Sequence, residues 1–226
     1  MAAVARKSNG EIERSSAMKI LLLGATGLVG KNVLAQALVN SAITGVVAPT
    51  RGPLTPHPKL VNPVSGRLES LLGTTEGVDG VVCALGTTIG KAGSKEAFRE
   101  VDYVLPLAFA RAAQAHGVGT FVLVSASVAS VSSAMFYPRI KGEIERDIEL
   151  VGFRSLTIVR PGLIGGERDE PRFREGVALR LMSTFAPILP KKFRVNPAPA
   201  IAAAVLEAVM TAEPGRHFRY AETLVG

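Results

Sequence analysis

Apolar positions fall along this chain in two rhythms, short unbroken runs and longer stretches at helical spacing. Ile20-Leu21-Leu22-Leu23 follows Met18-Lys19 and stops at a glycine. Its lack of alternation predicts a strand buried on both faces of a parallel sheet. Comparable runs predict strands at Ile43 to Ala48, Gly80 to Leu85, Thr120 to Val124 and Ser155 to Val159. Lys59 to Val64 is a weaker third strand, hemmed in by Pro53, Pro56, Pro58 and Pro63, since proline cannot donate to a ladder.

The second rhythm predicts helices between the strands. Val29 to Val39 has helical spacing, and a long helix runs from about Ser94 to His116. Its apolar stripe is Ala97, Val101, Val104, Leu105, Ala108 and Ala112, and Gly117 stops it. Pro106 predicts a kink. Ala134 to Val151 places Ile140, Ile144, Ile148 and Val151 on one side, and further helices are expected at Arg174 to Phe185 and Pro199 to Thr211. Alternating strands and helices imply βαβ units. The expected fold is a Rossmann-type α/β protein: a doubly wound parallel sheet in three layers with a small C-terminal helical cap. Residues 1–17 are expected to be an extension, 18–226 one dinucleotide-binding domain, and the segment around 161–198 its substrate side.

Composition narrows the class. The chain has 226 residues, 47% hydrophobic and 20% charged, enough to bury a core. A single cysteine, Cys83, excludes an internal disulfide and points to a reducing compartment, so a cytoplasmic protein is expected. The net charge of +7 is scattered, with no basic run beyond Lys191-Lys192 and 5% aromatic residues, which argues against nucleic acid. The apolar stretch Ile20 to Leu38 is broken by Gly24, Gly27, Gly30, Lys31 and Asn32, so no integral membrane span is expected. The first seventeen residues lack the apolar centre of a secretion signal, and Glu11 and Glu13 argue against a transit peptide.

Candidate chemistry begins with Gly24-Ala25-Thr26-Gly27-Leu28-Val29-Gly30, a GxxGxxG turn between the first strand and the first helix. Glycine is needed there because the turn is tight and the backbone must approach a pyrophosphate, which rests on the helix N-terminus. Between Gly30 and Glu69 no acid is present to take a ribose 2′-hydroxyl, whereas Arg51 lies just beyond the second strand. Its planar fork suits a 2′-phosphate, so NADP(H) is favoured over NAD(H).

Tyr137 and Lys141 form a YxxxK spacing on a predicted helix, which puts the phenol and the ammonium on one face. A free tyrosine titrates near 10, and a neighbouring ammonium, together with an oxidised nicotinamide, is expected to draw it toward a useful range. Ser125 and Ser127 follow the fifth strand, at the edge where α/β sheets bind ligands, and either could hold the substrate oxygen. Ser125 is favoured by its distance from Tyr137. Asp102 could hydrogen-bond within the site, but on an exposed helix face it reads more readily as a solvated charge. His57, His116 and His217 are isolated, so no metal site is expected. Arg172 to Lys192 mixes bases with Phe173, Leu179, Leu181, Met182, Phe185 and Leu189, which could be a substrate lid, a partner groove or a membrane-surface patch but reads more readily as a covering helix over the cleft. Its apolar content suggests a lipophilic or aromatic small-molecule substrate.

The motifs GATGLVG at 24–30, CALGTT at 83–88, KAGS at 91–94, LVSAS at 123–127, YPRIKGEIE at 137–145 and RPGLIGGERDEPR at 160–172 together resemble the atypical short-chain dehydrogenase/reductases of the TIP30 (Tat-interactive protein) type. The resemblance covers Met18 to about Arg194. It implies an NADP(H)-binding protein with Tyr137 as the proton acceptor and Lys141 holding the ribose. It further implies Ala84, Leu85 and Gly86 along the cofactor and Pro161, Gly162 and Leu163 as the wall beside the nicotinamide. Ser65-Gly66 stands where such proteins usually carry an acid, and Ser125-Ala126-Ser127 where they often carry paired serines. The leading expectation is an NADP(H)-dependent oxidoreductase acting on a carbonyl or hydroxyl. The alternatives are a cofactor-binding regulatory protein with a protein partner, or an epimerase or dehydratase that retains its cofactor.

Overall fold

The computed structural model describes residues 17–165 and 195–224. Its strands are β1 (Met18–Leu23), β2 (Ile43–Val47), β3 (Leu60–Val61), β4 (Gly80–Cys83), β5 (Thr120–Val124), β6 (Ser155–Arg160), β7 (Leu163–Gly165), β8 (Val195–Pro197) and β9 (Gly215–Tyr220). Its helices are α1 (Leu28–Val39), α2 (Ile89–Ala92), α3 (Lys95–Arg99), α4 (Leu105–Ala115), α5 (Phe136–Glu149) and α6 (Ala198–Thr211). Seven strands form one sheet in the order β3-β2-β1-β4-β5-β6-β9, and every neighbouring pair is parallel. β7 and β8 pair separately.

Alternate residues of each central strand feed opposite layers. Ile20, Leu22, Val46, Val82, Val122 and Val159 pack with Val29, Val33 and Ala37 of α1 and with Ile201, Val205 and Val209 of α6. Leu21, Leu23, Val81, Cys83, Phe121, Leu123 and Ile158 pack instead with Leu107, Phe109 and Ala113 of α4 and Ile144 and Ile148 of α5. Burial on both faces is what removes alternation from the strand sequences. The result is the doubly wound, three-layer α/β sheet that the periodicity predicts. No described helix is long and apolar enough to cross a membrane.

Several boundaries differ from expectation. The third strand contracts to Leu60–Val61, followed by an isolated bridge between Thr50 and Val64. The long helix is interrupted. It begins as α3, passes through a π-helical turn at Glu100–Val104, and resumes as α4 with a proline in its first turn. Pro106 has no N–H to offer the carbonyl four residues back, and the chain adopts the wider turn, in which the Leu105 amide donates to the Glu100 carbonyl. Leu105 is buried as predicted, together with Leu107, while the other buried apolar and acidic positions, Phe98, Asp102, Phe109, Ala110 and Ala113, are displaced by about one residue from the predicted stripe. The strand β9 carries no apolar run, because it is a charged edge of the sheet. The helix expected at Arg174 to Phe185, most of the 161–198 segment and residues 1–16 lie outside the described residues.

Candidate active site

In a parallel sheet all strands end on one edge, and the order reverses between β1 and β4, the crevice where open α/β sheets take ligands. Leu23 pairs with Cys83, Cys83 with Leu123, and Val124 with Val159, so Gly24, Ala84, Val124 and Val159 fall into one row, with Ser125 and Arg160 one position beyond it. The ladder extends past the strands: the Ser125 amide donates to the Val159 carbonyl at 2.8 Å and the Ser127 amide to the Pro161 carbonyl at 2.8 Å.

The first turn of the row is built around glycine. Gly24 adopts φ +84°, and a Cβ there would stand 2.5 Å from the Ala84 carbonyl oxygen. A Cβ on Gly30 would stand 2.0 Å from the Gly24 carbonyl oxygen, so the helix can sit on the turn only with hydrogen at that position. Gly27 begins α1 without a side-chain cap, which leaves the amides after it to an outside acceptor. Thr26 and Gly27 are exposed, Leu28 is half-buried and Val29 is in the core. Of Val29, then, the backbone and not the side chain faces the turn. This cradle has the shape and polarity to hold a pyrophosphate.

Arg51 is exposed on the loop after β2 and makes no ion pair among the described residues. Its loop is pinned by Asn62, whose amide donates to the Ala48 carbonyl at 2.6 Å and the Thr50 hydroxyl at 2.7 Å, while its oxygen accepts from the Leu54 amide at 2.8 Å. Asn62 was not legible in sequence, where it reads as one more polar residue between prolines.

The catalytic candidates lie further along the same edge. Ser125 is 6% exposed, and its Oγ, wholly buried, has no hydrogen-bond partner. Ser127 is exposed. Tyr137 lies in the first turn of α5 with its ring edge-on to Phe98, 5.8 Å between centroids, and Phe98 also meets Phe136 at 5.6 Å. Lys141, one turn on, is buried and paired with Asp102 at 2.7 Å.

Asp102 corrects the sequence reading. It is 2% exposed rather than solvated, because the π-helical turn directs it inward beneath the loop after β4. Its second oxygen accepts from the Thr87 amide at 2.8 Å. Gly86 borders this pair: a Cβ there would lie 3.7 Å from Asp102 Oδ1 and 4.0 Å from Lys141 Nζ. Ala84 and Leu85 are half-buried beside it.

Burial presses the Lys141 ammonium toward neutrality, while Asp102, Tyr137 and Cys83 pull it back, and the net shift is upward. Burial also raises the Tyr137 phenol, Lys141 draws it down, Asp102 adds to the rise, and the net shift is again upward. Among the protein's own groups, desolvation outweighs the single ammonium. Burial pushes the Cys83 thiol up to about 12, so it stays protonated at the strand end.

On the far side, Pro161 is buried and Leu163 is 44% exposed. The Gly162 amide donates to Asn196 Oδ1 at 2.7 Å, and the Asn196 amide donates to the carbonyls of Ala221 at 2.8 Å and Leu224 at 3.3 Å. Arg160 grips the buried Glu145 of α5 through two hydrogen bonds, which ties the end of β6 to the helix carrying Tyr137 and Lys141. Glu145, Arg160 and Gly162 lie in the quoted motifs, but neither pairing is legible there, since each joins residues distant in sequence. The bases and apolar residues of Arg172 to Lys192 lie outside the described residues.

Fold and cradle together define a dinucleotide-binding protein with a Rossmann-type fold. The chain belongs to the NAD(P)H-binding family, whose profile matches residues 24–175. Among curated proteins it is similar to "Protein fmp52, mitochondrial" of Emericella nidulans, 38% identical over 168 residues, covering 70% of this chain and 72% of that protein. It is similar also to the protein of the same name from Debaryomyces hansenii, 31% identical over 204 residues, covering 87% and 89%. In fold it is similar to the Bordetella bronchiseptica enzyme WbmH in complex with NAD+ (TM-score 0.68, 18% identity, 93% of this chain and 78% of that one). It is similar likewise to the UDP-N-acetylglucosamine 4-epimerase of Bacillus cereus (TM-score 0.67, 20% identity, 90% and 79%). These likenesses show an NAD(P)-binding, oxidoreductase- and epimerase-like fold. The cytoplasmic expectation does not stand: the curated relatives are named mitochondrial, and a lone cysteine reports a reducing environment, which is not particular to one compartment.

Proposed function

We propose that the protein is an NADP(H)-dependent oxidoreductase acting on a carbonyl or hydroxyl group of a small molecule. Tyr137 is its proton donor, Lys141 the cation beside the nucleotide ribose, and Ser125 the hydroxyl that holds the substrate oxygen. The observation that carries this reading is the unpartnered Ser125 Oγ, buried on the same sheet edge as the glycine turn and the Tyr137–Lys141 pair. A buried hydroxyl without a partner is costly unless a ligand completes it. Ser127, exposed and one position beyond Ala126, is the second hydroxyl available.

The dinucleotide, when bound, supplies the hydride. The protein's part is to place and protonate. The amides after Gly27 take the pyrophosphate, Arg51 takes the 2′-phosphate, Ala84, Leu85 and Gly86 lie along the cofactor, and Pro161, Gly162 and Leu163 form its wall. The Tyr137 phenol, raised by burial, holds its proton at neutral pH. It is thus poised to donate to a carbonyl oxygen, which favours reduction over alcohol oxidation. Ile89, Val128, Val131, Met135 and Leu163 are exposed in or beside the loops after β4, β5 and β6, which supports a lipophilic substrate. Within the family, the CALGTT, KAGS and KGE motifs support the TIP30-type branch. The relatives' names support a mitochondrial location, which a fluorescent fusion of the full chain tests by co-localisation.

The test of function is NADPH consumption against a panel of aldehydes and ketones. Tyr137→Phe should reduce turnover by roughly 10²-fold or more while nucleotide affinity changes little. Undiminished turnover in that variant removes Tyr137 as the acid.

A further inference from the structure

We propose that Asp102 is a positioning residue of this site, whose single carboxylate sets both the place and the charge of Lys141 and the course of the loop after β4. The inference rests on the reading of Lys141 given above. Three observations carry it. Both partners are buried, with side chains 6% and 0% exposed, and their contact is 2.7 Å. The other carboxylate oxygen accepts the Thr87 amide, just past the Ala84-Leu85-Gly86 segment along which the nucleotide is proposed to lie. Gly86 places no side chain over the pair, so the cation faces the loop.

Asp102 compensates for what burial takes from Lys141. A lysine withdrawn from water loses the hydration of its ammonium, and such lysines titrate several units low when nothing replaces it. The groups facing Lys141 are Tyr137 on its own helix, Cys83 at the end of β4 and Asp102 from the π-helical turn. The first two are neutral at physiological pH, with the thiol pushed up to about 12 and the phenol raised. Asp102 is therefore the group able to keep the ammonium charged. It is also the group able to hold it in place, because the carboxylate is itself anchored on a backbone amide. The widened turn at Glu100–Val104 exists in this chain at the residues that carry Asp102 inward, and such turns recur where a helix must redirect a side chain.

Asp102→Asn keeps size and hydrogen bonding while removing the charge. Two readouts separate this inference from the functional reading. The first is the 13Cε shift of Lys141 in the nucleotide-free protein, assigned by its loss in Lys141→Met and followed from pH 6 to 11. In the parent its midpoint should lie above the ordinary lysine range, and in Asp102→Asn it should fall by about two units or more. The second is NADPH affinity by fluorescence. It should be level from pH 6 to 9 in the parent and fall about tenfold over that range in Asp102→Asn, as the lysine loses its proton. An unmoved Lys141 midpoint overturns the inference whatever the nucleotide does. A parent that binds no nicotinamide nucleotide overturns the functional reading and leaves the lysine titration to judge Asp102. Should Asp102→Asn fail to fold, the Asp102→Asn/Lys141→Met double variant should fold again, since it removes the stranded cation. A double variant no more stable than the single one refutes the pairing.

Discussion

Gly142 lies one residue after Lys141, on the face of α5 that meets the loop between β5 and that helix. A Cβ added there would stand 2.3 Å from the Val131 amide nitrogen, 2.4 Å from the Ser130 carbonyl carbon and 2.9 Å from Ser130 Cα. These are backbone atoms and cannot swing away. The Ser130 amide is also engaged, donating to the Pro138 carbonyl at 2.9 Å. Gly142→Ala thus requires the loop to retreat by about 1 Å to reach ordinary contact, an overpacking that costs about 1–3 kcal/mol. Loss of the Ser130 hydrogen bond adds about 1 kcal/mol, and the better helix propensity of alanine returns about 1 kcal/mol. The net expectation is a loss of about 1–3 kcal/mol, or a fall in Tm of roughly 2–12 °C for a protein of this size. Gly90, with open space around its Cβ position, serves as the control and should tolerate alanine without loss. Calorimetry or thermal denaturation by circular dichroism reads both. Because the displaced loop carries Ser127 and leads into Tyr137, turnover should fall further than stability alone explains. An alanine variant as stable as the parent would refute the account of how this loop is seated.

Other consequences are equally direct. Arg51→Ala should weaken NADPH binding by tenfold or more and leave NADH binding nearly unchanged, and equal losses would exclude a 2′-phosphate contact. Asn196→Ala strands the Gly162 amide and the carbonyls of Ala221 and Leu224 in the interior. It should cost about 3 kcal/mol, or roughly 6–12 °C in Tm. At high pH the direction is fixed by two raised values. The unfolded chain releases the Tyr137 and Lys141 protons near 10 while the folded one retains them, so stability is full below that pH and declines above it. Tyr137→Phe should make the decline between pH 10 and 11 shallower, as read from Tm against pH.

The two-faced apolar strands, the glycine turn and the YxxxK spacing are local patterns, and each was legible because its physics is local. A buried strand must be continuously apolar, a phosphate turn must lack side chains, and residues four apart on a helix must share a face. From such patterns the linear order of residues already determined the parallel α/β architecture, the end of the sheet that carries the cradle, and the residues to be gathered there. Only the tertiary structure decided what surrounds them. Asp102 was misplaced because helical periodicity assumes 3.6 residues per turn, and the π-helical turn preceding Pro106 resets the register. The edge strand β9 escaped notice because it borrows its place from β6 and not from any apolar run of its own. Asn62, Asn196 and the Glu145–Arg160 pair hold the site's loops through contacts across 8 to 34 residues. The rise of the Tyr137 phenol is likewise a property of enclosure. A spacing can tell which charge is near a proton, but how much water is left to share it depends on the whole fold.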